Sequence, residues 1–568
     1  MSRLCIPLLV LAFAGCASAP DAKPSSDSYD LLIRNGVVYN GSGAAAQQVD
    51  VAVRGDRIAA LLPAGSNAAA SRTVDARGQA VAPGFINVLS WATESLIADG
   101  RGMSDTQQGV TLEIFGEGWS MGPYSEKMKA DALKQQGDIQ YPIEWTTLGE
   151  YLDYLQRRGI TPNVASFVGA TTVRIHELGE EDVKPDAAQL ARMQDLVRQA
   201  MKEGALGVGG SLIYPPAAFA ETKELTALAQ AAAESGGGYI AHMRSEADRF
   251  LEALDETISI ARATGQRAEA YHLKAAGEKN WPKMAQAIAR IQAARDQGLK
   301  VSADMYAYTA GGTMLTAALP PWVQAGGFDA LIGRLKDPAI RARVITEMRD
   351  PDAPWENIRL LTGSDERVLV IECKSEKLKP LLGQSLAAIA RSRGKSTEDT
   401  VIDLILEDGS EMGAAYFLMS EDNVELGLKQ PWTSLGSDAE SSAPEGVFLK
   451  SSTHPRAYGN FARFLGHYVR DRKLMPLEEG IHRLTGLPAA NWKLKDRGCL
   501  KAGCYADIVI FDPSTVADHG TYDKPQQYAT GVSDVFVNGV QVLRDGAHTG
   551  AKPGRVVRGP GWRGSAQE

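Results

Sequence analysis

The sequence predicts an α/β protein: a (β/α)8 TIM-like barrel, a small β-sandwich built from both termini, and a subdomain inserted before the last barrel strand. Three observations predict it. Eight short apolar runs alternate with amphipathic stretches through the middle of the chain, the count and order of a closed parallel barrel. Both ends of the chain carry period-two patterns punctuated by turn dipeptides. The stretch before the eighth run is far too long for a barrel loop. At 568 residues there is room for all three parts.

The chain begins with a targeting pattern. Arg3 precedes the apolar run LCIPLLVLAFAGC, too short to span a bilayer and suited to a secretory signal. Its end, Phe13-Ala14-Gly15-Cys16, resembles the bacterial lipobox, which makes residues 1–16 a lipoprotein-type signal and Cys16 the lipidated residue. Residues 17–28, rich in Pro, Ser and Ala, read as a flexible tether. The expectation is an exported, periplasmic protein that meets a membrane only through this anchor. A plain signal peptide cut near Ala17 to Ala19 is the alternative.

Residues 29–80 read as antiparallel strands with Asn-Gly and Gly-Asp turns, and 495–560 mirror them with GCYADIVIFDP, GVSDVFVNGVQVL and GRVVRG. The two ends are expected to meet in one sandwich. The barrel is expected over 81–320 and 431–494, from the runs APGFINVLS, VTLEIFGEG, NVASFVGA, ALGVGGSLI, GYIAHMR, AEAYHLKA, KVSADMYAY and WTSLGSDA. Between several of them lie amphipathic helices such as DAAQLARMQDLVRQAMKEG. Residues 321–430 form the expected inserted lid or subdomain over the active-site face.

Composition excludes some functions. A net charge of -9, with no long basic run, argues against a nucleic-acid surface. Beyond the signal only Cys373, Cys499 and Cys504 remain, which is no disulfide framework. Cys499 and Cys504 are near enough in sequence to bridge across a turn, or to be two buried thiols.

The chemistry sits at the ends of the apolar runs. His242 ends GGGYIAH, His272 ends RAEAYH, and Asp438 ends PWTSLGSD. Imidazole and carboxylate at strand exits are how a barrel gathers a metal at its mouth. Glu117, at the end of VTLEIFGE, supplies a third donor, and two histidines with one glutamate is an accepted catalytic zinc set. A zinc held there acidifies water to a pKa of roughly 7. Glu117 between two glycines also has the bland reading of a loop carboxylate paired with Lys274 or Arg244, and either histidine could be a satisfied core residue. Asp438 is placed as the general base, with a helix N-cap as its plainer role. Arg456, singled out by the family resemblance that follows, offers a planar fork for a carboxylate, or an internal ion pair. Lys274 or the metal would polarise the scissile carbonyl. His454 neighbours Arg456 and is a pocket candidate, and His176 reads as a loop histidine.

The motifs APGFIN, DTQQGVTLEIFGEGWSMGP, GALGVGGSLIYPP, AHMRSE, YHLKAAGEKNW, ADMYAYTAGGT, GSDAE, THPRAYGNFARFLGHYVR, LTGLPAANWKL and DRGCLKAGCYADIVIFDP run in the order of one family. Over about 29–560 the chain resembles the D-aminoacylases, the N-acyl-D-amino-acid deacylases of the metal-dependent amidohydrolase superfamily. The resemblance implies zinc and hydrolysis of an N-acyl amino acid, a small-molecule substrate. It places His242 and His272 on the family's metal histidines, Asp438 on its catalytic aspartate, Arg456 and Tyr306 on its carboxylate-binding residues, and Lys274 on a lysine of the same turn. It also implies departures. The family's PGFID-x-H-x-H is here PGFINVLSW, with Leu89 and Trp91 in place of the histidine pair. A third-strand histidine falls on Ala170 and a carboxylate-binding serine on Gly312. The family's Gly-Asn-Cys-Gly, whose cysteine binds zinc, is Gly116-Glu117-Gly118, one residue shorter. One zinc rather than two is therefore expected. Trp91 either fills a vacated metal pocket or walls the acyl group. Related hydrolases of dipeptides or other carboxylate-bearing amides are the nearest alternative activity, and a barrel that binds such a ligand without turning it over is the rival from another class.

Overall fold

The computed structural model describes residues 28–564. The signal, Cys16 and most of the expected tether fall outside the described residues. Among those described, no helix is long and apolar enough to cross a membrane.

Eight parallel strands close into a barrel: β1 (Phe85–Asn87), β2 (Val110–Phe115), β3 (Asn163–Ser166 continued by Val168–Gly169), β4 (Gly207–Ser211), β5 (Gly238–His242), β6 (Ala268–Ala270), β7 (Val301–Met305) and β8 (Thr433–Leu435). Each pairs in parallel with its sequence neighbour. Val88 N–H donates to Leu435 O at 3.4 Å, and Ser90 bridges Ala439, which joins the first strand to the last. The strands are short and almost wholly buried because helices cover the outside and side chains fill the inside. Outer helices such as Ala187–Lys202 bury one face, here Met193, Val197, Ala200 and Met201, and begin at a capping box on Asp186.

Strands from both termini pair with each other, Ile508–Phe511 running antiparallel to Ala80–Pro83. Leu31, Ile33, Val51, Val53, Val81, Ile508, Ile510 and Phe536 form the buried core of this second layer. Cys499 and Cys504 are disulfide-bonded beside it. Two expectations about boundaries change. GRVVRG is not a strand of the sandwich: its backbone crosses the amino-terminal end of the barrel, where Val557 N–H donates to Val164 O and Gly559 N–H to Gly204 O, both at 2.8 Å. Its alternating pattern reflects burial against strand ends rather than pairing in a second sheet.

The insertion also begins earlier than residue 321. Its three-stranded antiparallel sheet comprises Ala310–Met314, Gly413–Phe417 and Val368–Glu372, with Ala310 opposite Phe417. AGGTM lacks the bulky alternation that marks a strand, and its partner is remote in sequence, so local pattern does not reveal it. At the other end, helix Glu421–Leu428 belongs with the barrel, burying Val424 and Leu428 in the barrel's core. The insertion has a core of its own, including Leu331, Leu335, Val344, Val368, Val370, Ile402 and Ile405. His176 lies in the helix Ala170–Leu178 rather than in a loop.

Candidate active site

Each candidate donor leaves the carboxyl end of a barrel strand. His242 is the last residue of β5, Glu117 and His272 each lie two residues beyond β2 and β6, and Asp438 three beyond β8. Such ends converge on the barrel mouth, which is why residues far apart in sequence meet there. Glu117 is held by the glycines beside it. Gly116 and Gly118 have φ of 108° and 74°, and a Cβ on either would lie 2.4 Å from Phe167 O or Ser211 Cβ respectively. Only glycine permits that path, and it turns the Glu117 side chain into the mouth. His272 and Asp438 also adopt positive φ, 34° and 50°, a strained backbone of the kind that collects at functional sites.

Glu117, His242 and His272 are all buried, with ligand atoms within 4.8 Å of one another, and among the described residues they form the one such group. His272 Nε2 lies 2.9 Å and His242 Nδ1 3.2 Å from the same oxygen, Glu117 Oε1. Burial alone would raise the Glu117 pKa, but the His272 charge and the hydrogen bonds from both histidines hold it down at about 2. Burial and the Lys274 ammonium disfavour charge on His272, yet Glu246 and Glu117 on either side push its pKa up to about 10. The pocket thus presents a formal anion facing two imidazoles, a donor set suited to a divalent cation that would displace imidazole protons. His242 Nε2 has no hydrogen-bond partner. The residues fit a metal.

Glu246 is a site residue that the sequence reasoning missed. Its Oε1 lies 3.0 Å from His272 Nδ1 and accepts from Lys274 Nζ at 2.6 Å, and its Oε2 lies 3.7 Å from His242 Nε2. A carboxylate behind metal-binding imidazoles orients them. Burial opposes its charge, but Lys274 and both histidines hold its pKa well below the usual carboxylate range. The signal lay in AHMRSE, where Glu246 follows His242 by four residues, but spacing alone does not separate it from any loop acid. Lys274 Nζ also sits 2.7 Å from His272 Nδ1, so the lysine is engaged behind the histidine, at the ring nitrogen that does not face Glu117. Glu356, from the insertion, accepts from Ser245 Oγ at 2.6 Å and from the amides of Glu246 and Ala247, fixing this turn from above. Burial raises the Glu356 pKa to about 7.

Asp438 pairs with Arg456, whose Nη2 lies 2.9 Å from Asp438 Oδ2. Burial raises the Asp438 pKa, Arg456 opposes this, and Glu117 reinforces it. The internal ion pair expected as the alternative for Arg456 is therefore present, and its partner is the candidate base. The same guanidinium keeps Nε and Nη1 buried without protein partners, and it stacks over the Tyr306 ring with Cζ 4.6 Å from the centroid. Tyr306 Oη is likewise without a partner. Two orphaned guanidinium nitrogens and a phenol beside the donor cluster suit a ligand carboxylate. Gly312 faces Arg456, its carbonyl accepting from Nη2 at 3.3 Å.

His454 is buried behind Arg456 and does not extend to the donors. Its Nε2 lies 3.0 Å from Ala310 O and its Nδ1 accepts from Arg456 N–H at 3.0 Å. Burial, with Arg456 adding to it, holds its pKa well below the usual value, so it acts as a neutral support for the arginine. Trp91 is partly exposed at the mouth, and its Nε1–H lies 3.1 Å from both Glu117 Oε2 and Asp438 Oδ1. Leu89 is buried in the apolar barrel interior with Ile86, Ile114, Phe167 and Ile240. Beneath the site Asn87 donates to Glu113 at 3.0 Å and to Ser437 Oγ at 2.8 Å, while its carbonyl accepts from Ser437 N–H at 2.9 Å. That ties the residue before Asp438 to the first strand.

The model of the amidohydrolase family matches residues 72–543. The chain belongs to that family. Among curated relatives of this amidohydrolase, the D-aminoacylase of Alcaligenes xylosoxydans xylosoxydans is 34% identical over 540 residues, spanning 94% of this chain and 99% of the relative. A solved D-aminoacylase, described by its binuclear metal centre with one-metal activation and second-metal attenuation, superposes with a TM-score of 0.78 at 32% identity, covering 93% of this chain and 100% of that one. The N-acyl-D-glutamate deacylase of Bordetella bronchiseptica, solved with zinc and a phosphonate mimic of the tetrahedral intermediate, superposes with a TM-score of 0.77 at 31% identity, covering 94% and 100%. This amidohydrolase thus sits among the D-aminoacylases in sequence and in fold.

The ligand and base assignments separate experimentally. Glu117→Gln is expected to lower metal content along with turnover, measured by elemental analysis and initial rates. Asp438→Asn is expected to keep its metal and lose about 10²–10⁴-fold in kcat, the usual contribution of a positioned general base. Glu246→Gln, acting through the histidines, is expected to weaken metal affinity about 10–100-fold, read by competition with a chelator.

Proposed function

We propose that this protein is a periplasmic N-acyl-D-amino-acid deacylase, using one zinc ion to hydrolyse the amide into a carboxylate and a free amino acid. The observation that carries the reading is the meeting at one mouth of a three-donor metal set, Glu117, His242 and His272, with Arg456, whose Nε and Nη1 are buried without protein partners. The first would hold the ion and the second would take the carboxylate of the amino acid. The similarity to D-aminoacylases supports the D configuration. One-metal activation in a similar D-aminoacylase supports a single ion.

When bound, the ion supplies Lewis acidity, bringing the pKa of water down to about 7 and polarising a carbonyl. The protein's own residues do the rest. Arg456 and Tyr306 dock the substrate carboxylate, which sets the amide beside the donor cluster within reach of Asp438 and lowers the entropic part of the barrier. Asp438 Oδ1 accepts the proton of the attacking water as the new C–O bond forms. It returns that proton to the nitrogen as the C–N bond breaks, giving a neutral amine leaving group. Glu246 and Lys274 keep the two imidazoles in orientation throughout.

The amino-terminal pattern ending at Cys16 supports export and lipid anchoring, since lipidation of that cysteine would tether the barrel through the Pro- and Ser-rich linker.

Purified protein is expected to hold close to one equivalent of zinc and to release amino acid from N-acetyl-D-amino acids much faster than from their L enantiomers. Absence of zinc, or equal rates on both enantiomers, would defeat the proposal. Arg456→Ala is expected to raise KM for N-acyl amino acids by about 10²-fold or more, the loss of a buried charge-assisted pair at about 2–5 kcal/mol. N-acyl amines lacking the carboxylate should be poor substrates of the wild type, and their KM should change far less than that of N-acyl amino acids. In cells, Cys16→Ser should move the protein out of the membrane fraction or block its maturation, whereas an unaltered distribution would mean an ordinary signal peptide.

A further inference from the structure

We infer that Trp91 is a positioning residue of this site: its indole N–H bridges Glu117 and Asp438, fixing both carboxylates and taking the place between them that a second cation would need. The geometry supplies the argument. Trp91 Nε1 lies 3.1 Å from Glu117 Oε2 and 3.1 Å from Asp438 Oδ1, one donor shared by two acceptors. The remaining oxygens of the two carboxylates are engaged elsewhere, Glu117 Oε1 by His242 and His272 and Asp438 Oδ2 by Arg456. Each carboxylate is thereby pinned at both oxygens, and Trp91 is the contact they have in common. A continuous chain of polar contacts runs from the carboxylate-docking arginine to the metal donors, and the indole is its central link.

The indole N–H suits that place chemically. It donates and cannot accept, so both oxygens facing it are held as acceptors. Two carboxylates aimed at one buried gap repel unless something positive or proton-bearing lies between them. A neutral N–H with its positive end in the gap meets that need without a charge. Trp91 is itself anchored, since its backbone N–H donates to Ala439 O at 3.0 Å just beyond Asp438. Leu89, two residues earlier, turns into the apolar interior and offers no second donor. The expected roles of Trp91 as inert filling or as an acyl wall do not account for a hydrogen bond to each of two functional carboxylates.

The inference rests on the proposed roles of Glu117 and Asp438, and the test keeps the two apart. Trp91 is replaced in the full-length enzyme by 3-benzothienylalanine, which keeps the bicycle and puts sulfur where the N–H was, and separately by Trp91→Phe. Both variants are expected to lose about 10–100-fold in kcat with KM changed by less than about threefold, the signature of misplaced groups rather than lost binding. Metal-stripped benzothienyl protein is expected to bind zinc more weakly than stripped wild type in chelator competition, a readout independent of turnover. Wild type should stay at one equivalent of zinc under excess metal. A benzothienyl variant equal to wild type in kcat and zinc affinity would overturn the inference, because bulk alone would then suffice. A rise in KM alone would overturn it in favour of a substrate wall. Wild type that binds no zinc at all would instead overturn the proposed function, before any Trp91 variant is compared.

Discussion

Everything at the mouth of this barrel depends on one buried carboxylate lying against two imidazoles. A carboxylate inside protein is costly unless its charge is met, and Glu117 is met by His242 and His272 on one oxygen and by the Trp91 indole on the other. The arrangement exists because the backbone on either side of Glu117 follows a path open to glycine and closed to other residues. It persists because a second buried carboxylate, Glu246, holds the far side of the imidazoles and is itself neutralised by Lys274. The two glutamates bracket the histidines, and the result is a cluster whose protons a metal ion can replace.

The substrate end of the pocket is organised by a different constraint. Arg456 is buried, pairs with Asp438, and retains unpartnered N–H groups. An arginine so placed has N–H groups to offer a ligand carboxylate while still touching Asp438. The support for Arg456 comes partly from the insertion: Gly312 O contacts the guanidinium and Ala310 O the buried His454 behind it. Glu356, farther along the same insertion, clamps the turn carrying Glu246. The insertion is therefore tied both to Arg456 and to the turn behind the histidines.

Much of the architecture was legible in the chain because it follows from local periodicity. Apolar runs of strand length, separated by amphipathic helices, mark all eight barrel strands, and His242, Glu117, His272 and Asp438 stand at the ends of four of them. Resemblance added Arg456 and Tyr306, which pattern alone would not have singled out. Apart from His176, which lies in a local helix, the misreadings come from dependence on partners brought in by the fold. AGGTM is a strand only because Gly413–Phe417 comes to pair with it, and GRVVRG crosses the barrel's base only because Val164 and Gly204 lie there. Glu246 carried no distinctive spacing, and its importance appears only once Lys274 and the histidines surround it.

By itself the sequence determined the order of strands and helices, the acids and imidazoles at the strand ends, and Leu89 and Trp91 at the exit of the first strand. Those are properties of residue type and short-range spacing, which the chain carries whatever its surroundings. Tertiary structure alone decided which atoms meet: that Cys499 and Cys504 join, that Asp438 lies against Arg456, and that the Trp91 N–H falls between two carboxylates. Barrel closure brings the first and eighth strands side by side, and the 3.1 Å contact between Trp91 and Asp438, 347 positions apart, exists only after that closure.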